Sequence, residues 1–303
     1  MKKVLLTGAS GFVGHHCIKP LLARGFEVHA VTSREPPVSP PGVHWHRADL
    51  LQAGAPEALM RLVQPSHLLH LAWYVVPGKL ISAQENYAWV TSSLALVQQF
   101  ARSGGTRLVG CGSGYEYDWD YGYCSERLTP ATPNTVYGAC KQALRLMVES
   151  LCRDAALSAA WGRVFFLYGP NEHPQRLVPS VILSLLEEKP AKTSHGRQIR
   201  DYMHVQDVAD GLVALLDSGV TASVNVSSGQ ATTLREIVLT LGKIMGRPDL
   251  IELGAIPARA NDAPLVVGDN TRLLSEVGWT QNFDLESGLR QTIEWWKNKR
   301  SGA

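Results

Sequence analysis

The sequence has almost no excess charge: 29 basic and 27 acidic side chains leave a formal net charge of +2 over 303 residues. A protein that neutralises nucleic-acid phosphates carries a basic field, and none is present, so no nucleic-acid partner is expected. Long apolar runs are missing as well. The basic start Met1-Lys2-Lys3 is followed only by Val4-Leu5-Leu6 before Thr7-Gly8, too short for an export core. No stretch approaches the ~18 apolar residues that cross a bilayer, so no membrane partner is expected and the cytoplasm is the default compartment. The five cysteines, Cys17, Cys111, Cys124, Cys140 and Cys152, form neither a C-x-x-C pair nor a Cys/His zinc spacing. They read as reduced, buried thiols. The pairs His15-His16 and His44/His46 lack metal-like partners along the chain, and no metal site is expected. Internal repeats are absent too.

What the sequence does have is alternation. Residues 3–7, 27–32, 43–47, 67–71 and 107–110 read as short apolar strands, and residues 12–23, 55–63, 81–103 and 136–155 as helices between or after them. Residues 35–42 form a proline-rich loop. A strand follows over 159–165. After Tyr168-Gly169-Pro170 the regularity breaks, because Pro170, Pro174, Pro179 and Pro190 punctuate the chain, which suggests a separate layer. Residues 201–204, a helix over 205–218 and residues 223–226 read as a return to the main sheet; helices over 234–245 and 285–299 join the smaller part. Repeated strand-helix units imply a parallel sheet covered on both faces.

The first strand-helix junction reads Thr7-Gly8-Ala9-Ser10-Gly11-Phe12-Val13-Gly14. Glycines at this spacing let backbone N–H groups approach a pyrophosphate, and the positive end of the next helix favours its charge. The fold class is therefore α/β, a Rossmann-type doubly wound parallel sheet with a smaller, mostly C-terminal substrate-binding portion. Residues 1–168 plus 200–227 would form the dinucleotide domain, and 169–199 plus 228–303 the substrate domain. Gly8, Ser10, Gly11, Phe12, Val13 and Gly14 are candidate cofactor residues, with Asp49, Leu50, Leu71 and Ala72 at later strand ends. The second strand ends in Thr32-Ser33-Arg34, with no carboxylate until Glu35. Hydroxyls and a guanidinium suit a ribose 2′-phosphate, so NADP(H) is favoured over NAD(H), which stays possible.

Tyr137 and Lys141 lie four residues apart at the start of a helix, hence on one face. A lysine cation, joined by an oxidised nicotinamide, favours the phenolate and should lower the tyrosine's pKa from its ordinary ~10. Ser113 follows the fifth strand, at the edge where open α/β sheets hold ligands. Ser113, Tyr137 and Lys141 are thus the candidate catalytic residues, able to hold a substrate oxygen and transfer its proton.

These marks, together with His70-Leu71-Ala72, Tyr168-Gly169-Pro170 and Arg200-Asp201-Tyr202-Met203-His204-Val205, resemble the extended short-chain dehydrogenase/reductase group, specifically its nucleotide-sugar epimerases, dehydratases and reductases. The resemblance implies that Ser113 and Tyr137 bind and protonate a sugar oxygen, and that Lys141 holds the nicotinamide ribose. It implies that Arg200 contacts nucleotide phosphates and that Arg259 is a second phosphate ligand. Trp73, Asn171 and Arg176 join Ser113, Arg200 and Arg259 as candidate substrate residues. A homodimer through the two long helices is a further implication.

Departures from the family pattern fall near the sugar. Around the catalytic serine the chain reads Cys111-Gly112-Ser113-Gly114-Tyr115-Glu116-Tyr117-Asp118, the long helix carries Trp89-Val90-Thr91-Ser92-Ser93, and Trp73 stands where a small residue is usual. Glu116 and Asp118 offer extra acids, but Gly114-Tyr115 occupies the place of the dehydratases' Asp-Glu pair. The leading expectation is NADPH-dependent reduction of a 4-keto-6-deoxy nucleotide sugar. The alternative is a nucleotide-sugar 4-epimerase with tightly bound cofactor, and a remote one is a non-catalytic dinucleotide sensor.

Overall fold

A computed structural model describes residues 2–37, 41–258, 260 and 262–301. Its frame is a seven-stranded parallel sheet of β1 (Lys2–Thr7), β2 (Phe26–Thr32), β3 (Val43–Arg47), β4 (His67–His70), β5 (Arg107–Ser113), β6 (Ser158–Val164) and β7 (Ala222–Val226). Their spatial order is β7-β6-β5-β4-β1-β2-β3. The chain winds outward from β1 to β3, then restarts at β4 on the other side of β1. Such a reversal opens a crevice at the carboxyl ends of β1 and β4.

Strand alternation supplies the two cores. Val4, Leu6, Leu69 and Val109 point to one face, where they meet Cys17 and Leu21 of α1 (Phe12–Ala23) and Val208 and Leu212 of α6 (Val205–Asp217). Leu5, Leu68 and Leu108 point to the other, against α2 (Ala55–Val63), α3 (Glu85–Arg102) and α4 (Val136–Asp154). Burying such side chains on both faces contributes roughly 1.5–3 kcal/mol each, which is why these strands read as continuous apolar runs.

The smaller layer has its own core. Val181, Ile182 and Leu185 of α5 (Leu177–Leu186), Ile237 and Leu241 of α7 (Leu234–Ile244), and Leu289, Ile293 and Trp296 of α9 (Leu285–Ser301) pack on Tyr168. Helix α5 is not expected from a proline-punctuated stretch. Pro179 sits in its first turn, where an amide has no intrahelical partner and none is lost. A second difference concerns the segment after Arg200. Tyr202–His204 does not join the main sheet; it pairs in parallel with Phe166–Tyr168 in a separate two-stranded sheet. Leu273, from α8 (Thr271–Ser275), and Trp279 pack into the α1/α6 core rather than the smaller one. Among the described residues no helix is long and apolar enough to cross a membrane, and all five thiols are free.

Candidate active site

The glycine turn is built by close packing. Gly8 takes a left-handed φ of +68°, and a Cβ on Gly14 would lie 2.2 Å from the Gly8 carbonyl oxygen. No side chain could enter there, so α1 starts tight against β1. Gly11 caps α1 with no side-chain hydrogen bond, leaving the first-turn amides beside Phe12 and Val13 for another acceptor. Ser10 Oγ lies 2.8 Å from Thr32 Oγ1, which also accepts from the Arg34 amide at 3.1 Å. Ser33 and Arg34 are exposed, while Glu35 is drawn to Arg47 at 3.0 Å. The β2 end therefore offers hydroxyls and a guanidinium next to the turn.

A hydroxyl relay ties β1 to β4. Thr7 Oγ1 accepts from the Leu71 and Ala72 amides at 3.1 and 3.2 Å, so its proton goes to His70 Nδ1 at 2.7 Å. His70 Nε2–H then donates to Ser93 Oγ at 2.8 Å. Burial first, then the Lys141 charge, holds the imidazole pKa down to about 3, so it stays neutral. The Ser92-Ser93 departure thus supplies this relay's last acceptor, and Ser92 Oγ donates to the Leu50 carbonyl. Asp49 is exposed and accepts from the Leu51 amide at 3.0 Å, as in a local turn.

Ser113, Tyr137 and Lys141 come together at the carboxyl edge of β5. Thr135 caps α4 by accepting from the Gly138 amide, which starts the helix so that Tyr137 and Lys141 face the sheet. A Cβ on Gly138 would lie 2.1 Å from the Tyr115 carbonyl oxygen, so only glycine lets α4 approach the Ser113 segment this closely. Ser113 lies close enough to Tyr137 for its hydroxyl to hold the phenol's pKa down in part, and its Oγ accepts from the Tyr115 amide at 3.3 Å. Lys141 Nζ donates to the Cys111 carbonyl at 2.8 Å and sits 3.7 Å from the Trp73 ring centroid. The Trp73 indole is itself pinned, donating to Asn86 Oδ1 at 2.7 Å.

The electrostatics differ from the sequence expectation in one respect. Burial pushes the Tyr137 phenol up, not down, and the Ser113 hydrogen bond opposes this only in part. In the protein alone Tyr137 is a proton donor at neutral pH. Burial also lowers Lys141 to about 8. Both groups cost free energy to charge where they stand, which is typical of groups poised for proton transfer.

The extra acids are not at this site. Glu116 is fully buried beneath Ser113, accepting from the Ser113 amide (2.8 Å), Trp161 Nε1 (2.9 Å) and Arg163 Nε (2.8 Å). Arg163 continues through Tyr117 OH to Asn225 Oδ1, each at 2.8 Å. This network holds the serine loop. Asp118 caps a short turn at the Asp120 amide.

On the opposite wall, Tyr202 lies close enough to Glu172, Arg176, Arg200 and Tyr115 for each to shift its phenol, after burial raises it. Arg200 is buried, donates to Asp262 Oδ1 at 2.6 Å and faces the Phe166 ring at 5.4 Å. Its guanidinium is thus partly engaged within the chain. Asn171 is exposed at φ +72° and Arg176 is the exposed N-cap of α5. Glu172, which the sequence did not single out, is buried, leaves Oε2 without a partner and has its pKa raised by burial to about 8. Arg259 lies outside the described residues. The surface hollow lined by His16, Pro170, Gln206 and Trp295 includes none of Ser113, Tyr137 and Lys141.

Comparison with known proteins bears on the family and the fold. A family described as the NAD dependent epimerase/dehydratase family matches residues 4–227. A UDP-glucose 4-epimerase 2 of Oryza sativa subsp. japonica is 26% identical over 340 residues, covering 97% of this chain and 82% of the relative. The structure of MoeE5 in complex with UDP-glucose and NAD aligns with a TM-score of 0.84 at 28% identity, over 99% of this chain and 100% of that one. A UDP-glucose 4-epimerase of Thermus thermophilus, in complex with NAD, matches the fold with a TM-score of 0.85 at 24% identity, over 97% and 99% of the two chains.

Proposed function

Because the chain belongs to the NAD dependent epimerase/dehydratase family, we propose that it is a nucleotide-sugar 4-epimerase acting through Ser113, Tyr137 and Lys141. The observation that carries this is the meeting of Ser113 and Tyr137 beside Lys141 at the sheet edge, next to a glycine turn with an uncapped helix start. The relatives favour this over the reductase expected from sequence, since epimerases recur among them.

The turn fits a dinucleotide: Gly8, Gly11 and Gly14 bring the backbone close without a Cβ, and Gly8, Ser10, Gly11, Phe12, Val13 and Gly14 would hold the pyrophosphate. Leu71 and Ala72, whose amides donate to Thr7, would hold the cofactor together with Asp49 and Leu50. Bound there, the cofactor would take a hydride from a hydroxyl carbon and return it to the opposite face. Ser113 orients the sugar oxygen. Tyr137 takes the oxygen's proton in one half-reaction and gives it back in the other, so the protein ends as it began. Lys141 favours the phenolate once it is charged and holds the nicotinamide ribose. Trp73, Asn171, Arg176, Arg200 and Arg259 would bind the sugar diphosphate, with Arg200 exchanging part of its Asp262 contact for phosphate. In this scheme residues 1–168 plus 200–227 hold the cofactor and 169–199 plus 228–303 the substrate, although α8 docks on the larger part.

A second reading, reduction of a 4-keto-6-deoxy sugar with NADPH, is supported by Thr32, Ser33 and Arg34 and by a Tyr137 held as a proton donor. Incubation with UDP-glucose and no added cofactor, set beside incubation of a 4-keto-6-deoxy nucleotide sugar with added NADPH, separates the two. Formation of the C4 epimer without net cofactor turnover supports the epimerase; steady NADPH oxidation with a keto sugar and no epimerisation overturns it. Exposed Tyr87 on α3 and Leu146 and Met147 on α4 suit a homodimer through these helices, to be measured by sedimentation. Free thiols are consistent with the cytoplasm as the proposed compartment.

A further inference from the structure

The outer edge of the large sheet carries a cluster that the epimerase reading does not use. Strands β2 and β3 run in parallel with His29 beside His44 and Val31 beside His46. Side chains two apart along a strand share a face, so Glu27, His29, His44 and His46 stand together. Chain spacing hides this, because each histidine's partners lie on the neighbouring strand.

The donor atoms are spaced for a cation. Glu27 Oε1 lies 2.9 Å from His29 Nε2 and 3.8 Å from His44 Nε2, and one donor atom from each of the three lies within 4.8 Å of the others. Tetrahedral zinc with bonds of about 2.0–2.1 Å separates its ligands by about 3.3 Å, and the two measured separations straddle that value. His29 stacks on His44 at 4.9 Å and on His46 at 5.1 Å between ring centroids. Its Nδ1 lies 2.8 Å from His46 Nε2. Lys3, the nearby cation, is engaged elsewhere, its Nζ donating to the Val63 carbonyl at 3.1 Å.

We propose that Glu27, His29 and His44 bind one divalent transition-metal ion of the zinc class, with His46 orienting His29 from behind. Two imidazoles and one carboxylate are a common donor set for such ions, and a fourth position stays open to water because the His44 side chain is 56% exposed. Without metal, His29 Nε2–H donates to Glu27 and Nδ1 accepts from His46. Metal binding replaces the Nε2 proton by a coordinate bond; His29 takes its Nδ1–H tautomer and donates to His46 Nε2, while His46 moves its own proton to Nδ1, so both imidazoles stay neutral. The ion would fasten β3 to β2 at an otherwise open sheet edge.

Chelator-stripped, full-length protein titrated with zinc chloride by calorimetry and thermal unfolding tests this. One equivalent should bind, and the unfolding temperature should rise until that equivalent is filled. His44→Ala, at an exposed position, should keep the wild-type circular dichroism yet lose both the bound equivalent and the shift. His46→Phe should keep the stoichiometry and weaken affinity about 10–100-fold. If His44→Ala loses structure, Glu27→Gln preserves size while removing the anionic donor and should abolish the same signals. No zinc uptake by the wild type, or uptake undiminished in these ligand variants, overturns the proposal.

Discussion

The two walls of the cleft satisfy their buried polar groups differently. On the cofactor wall, Thr7, His70, Ser93, Glu116, Arg163 and Asn225 all find partners within the chain. On the opposite side, Glu172 Oε2 and Gln198 Oε1 are buried without one; in the segment 200–227 His204 Nε2 and Ser227 Oγ are too, whereas among the described residues before Tyr168 only Trp45 Nε1 is. An unsatisfied buried polar atom costs about 1–3 kcal/mol. The wall proposed to do the chemistry is thus preorganised by its own hydrogen bonds. The wall proposed to recognise substrate keeps polar capacity at a cost in stability, which fits a stability-for-function exchange.

The contrast can be broken most decisively at Tyr137. Tyr137→Phe should lower kcat by about 10²–10⁴-fold while leaving dinucleotide affinity, measured by calorimetry, within about twofold. A variant with near wild-type turnover would remove the chemistry from this wall.

Glu172→Gln probes the other side. The folded-state pKa is raised from 4.5 to about 8, so the wild type holds the stability linked to this proton below pH 4.5 and loses it as pH rises through 8. Glu172→Gln should gain on the wild type over that window, by on the order of 4 kcal/mol at its upper end, in urea unfolding at pH 5 and pH 9. A constant difference between the two would mean that this carboxyl titrates normally.

Lys141→Met gives the mirror test on the chemistry wall. Its pKa falls from 10.5 to about 8 on folding, so the buried charge costs the wild type in full below pH 8 and the cost fades toward pH 10.5. Lys141→Met should be more stable at pH 7, by up to about 3 kcal/mol, and lose that advantage by pH 10.5, while turnover falls. An advantage that does not shrink with pH would place the gain in packing, not charge.

The smallest effect is expected at the β2 end. Arg34→Glu should shift the NADP-to-NAD affinity ratio toward NAD by roughly tenfold, or about 1.4 kcal/mol, through loss of an exposed guanidinium. An unchanged ratio would show that Thr32, Ser33 and Arg34 do not read the ribose.

Most of the frame was legible because its signals are local. The 12–23, 43–47 and 55–63 elements coincide with α1, β3 and α2, since apolar periodicity and glycine stops act within one element. The glycine turn and the one-turn spacing of Tyr137 and Lys141 are local in the same way. Helix α5 was obscured because the effect of Pro179 depends on where the helix starts. The pairing of Tyr202–His204 with Phe166–Tyr168 was equally hidden, since two short strands do not name their partner.

The amino-acid order by itself therefore determined the layered parallel frame, the glycine turn and the choice of Ser113, Tyr137 and Lys141 as candidates. Only the folded arrangement decided their electrical state and their company: the Tyr137 phenol raised, Glu116 spent on Arg163, Arg200 drawn to Asp262, and three histidines gathered with Glu27. The reason is that desolvation and pairing depend on atoms a few ångströms apart in space, and in this chain those atoms come from strands and loops far apart in sequence.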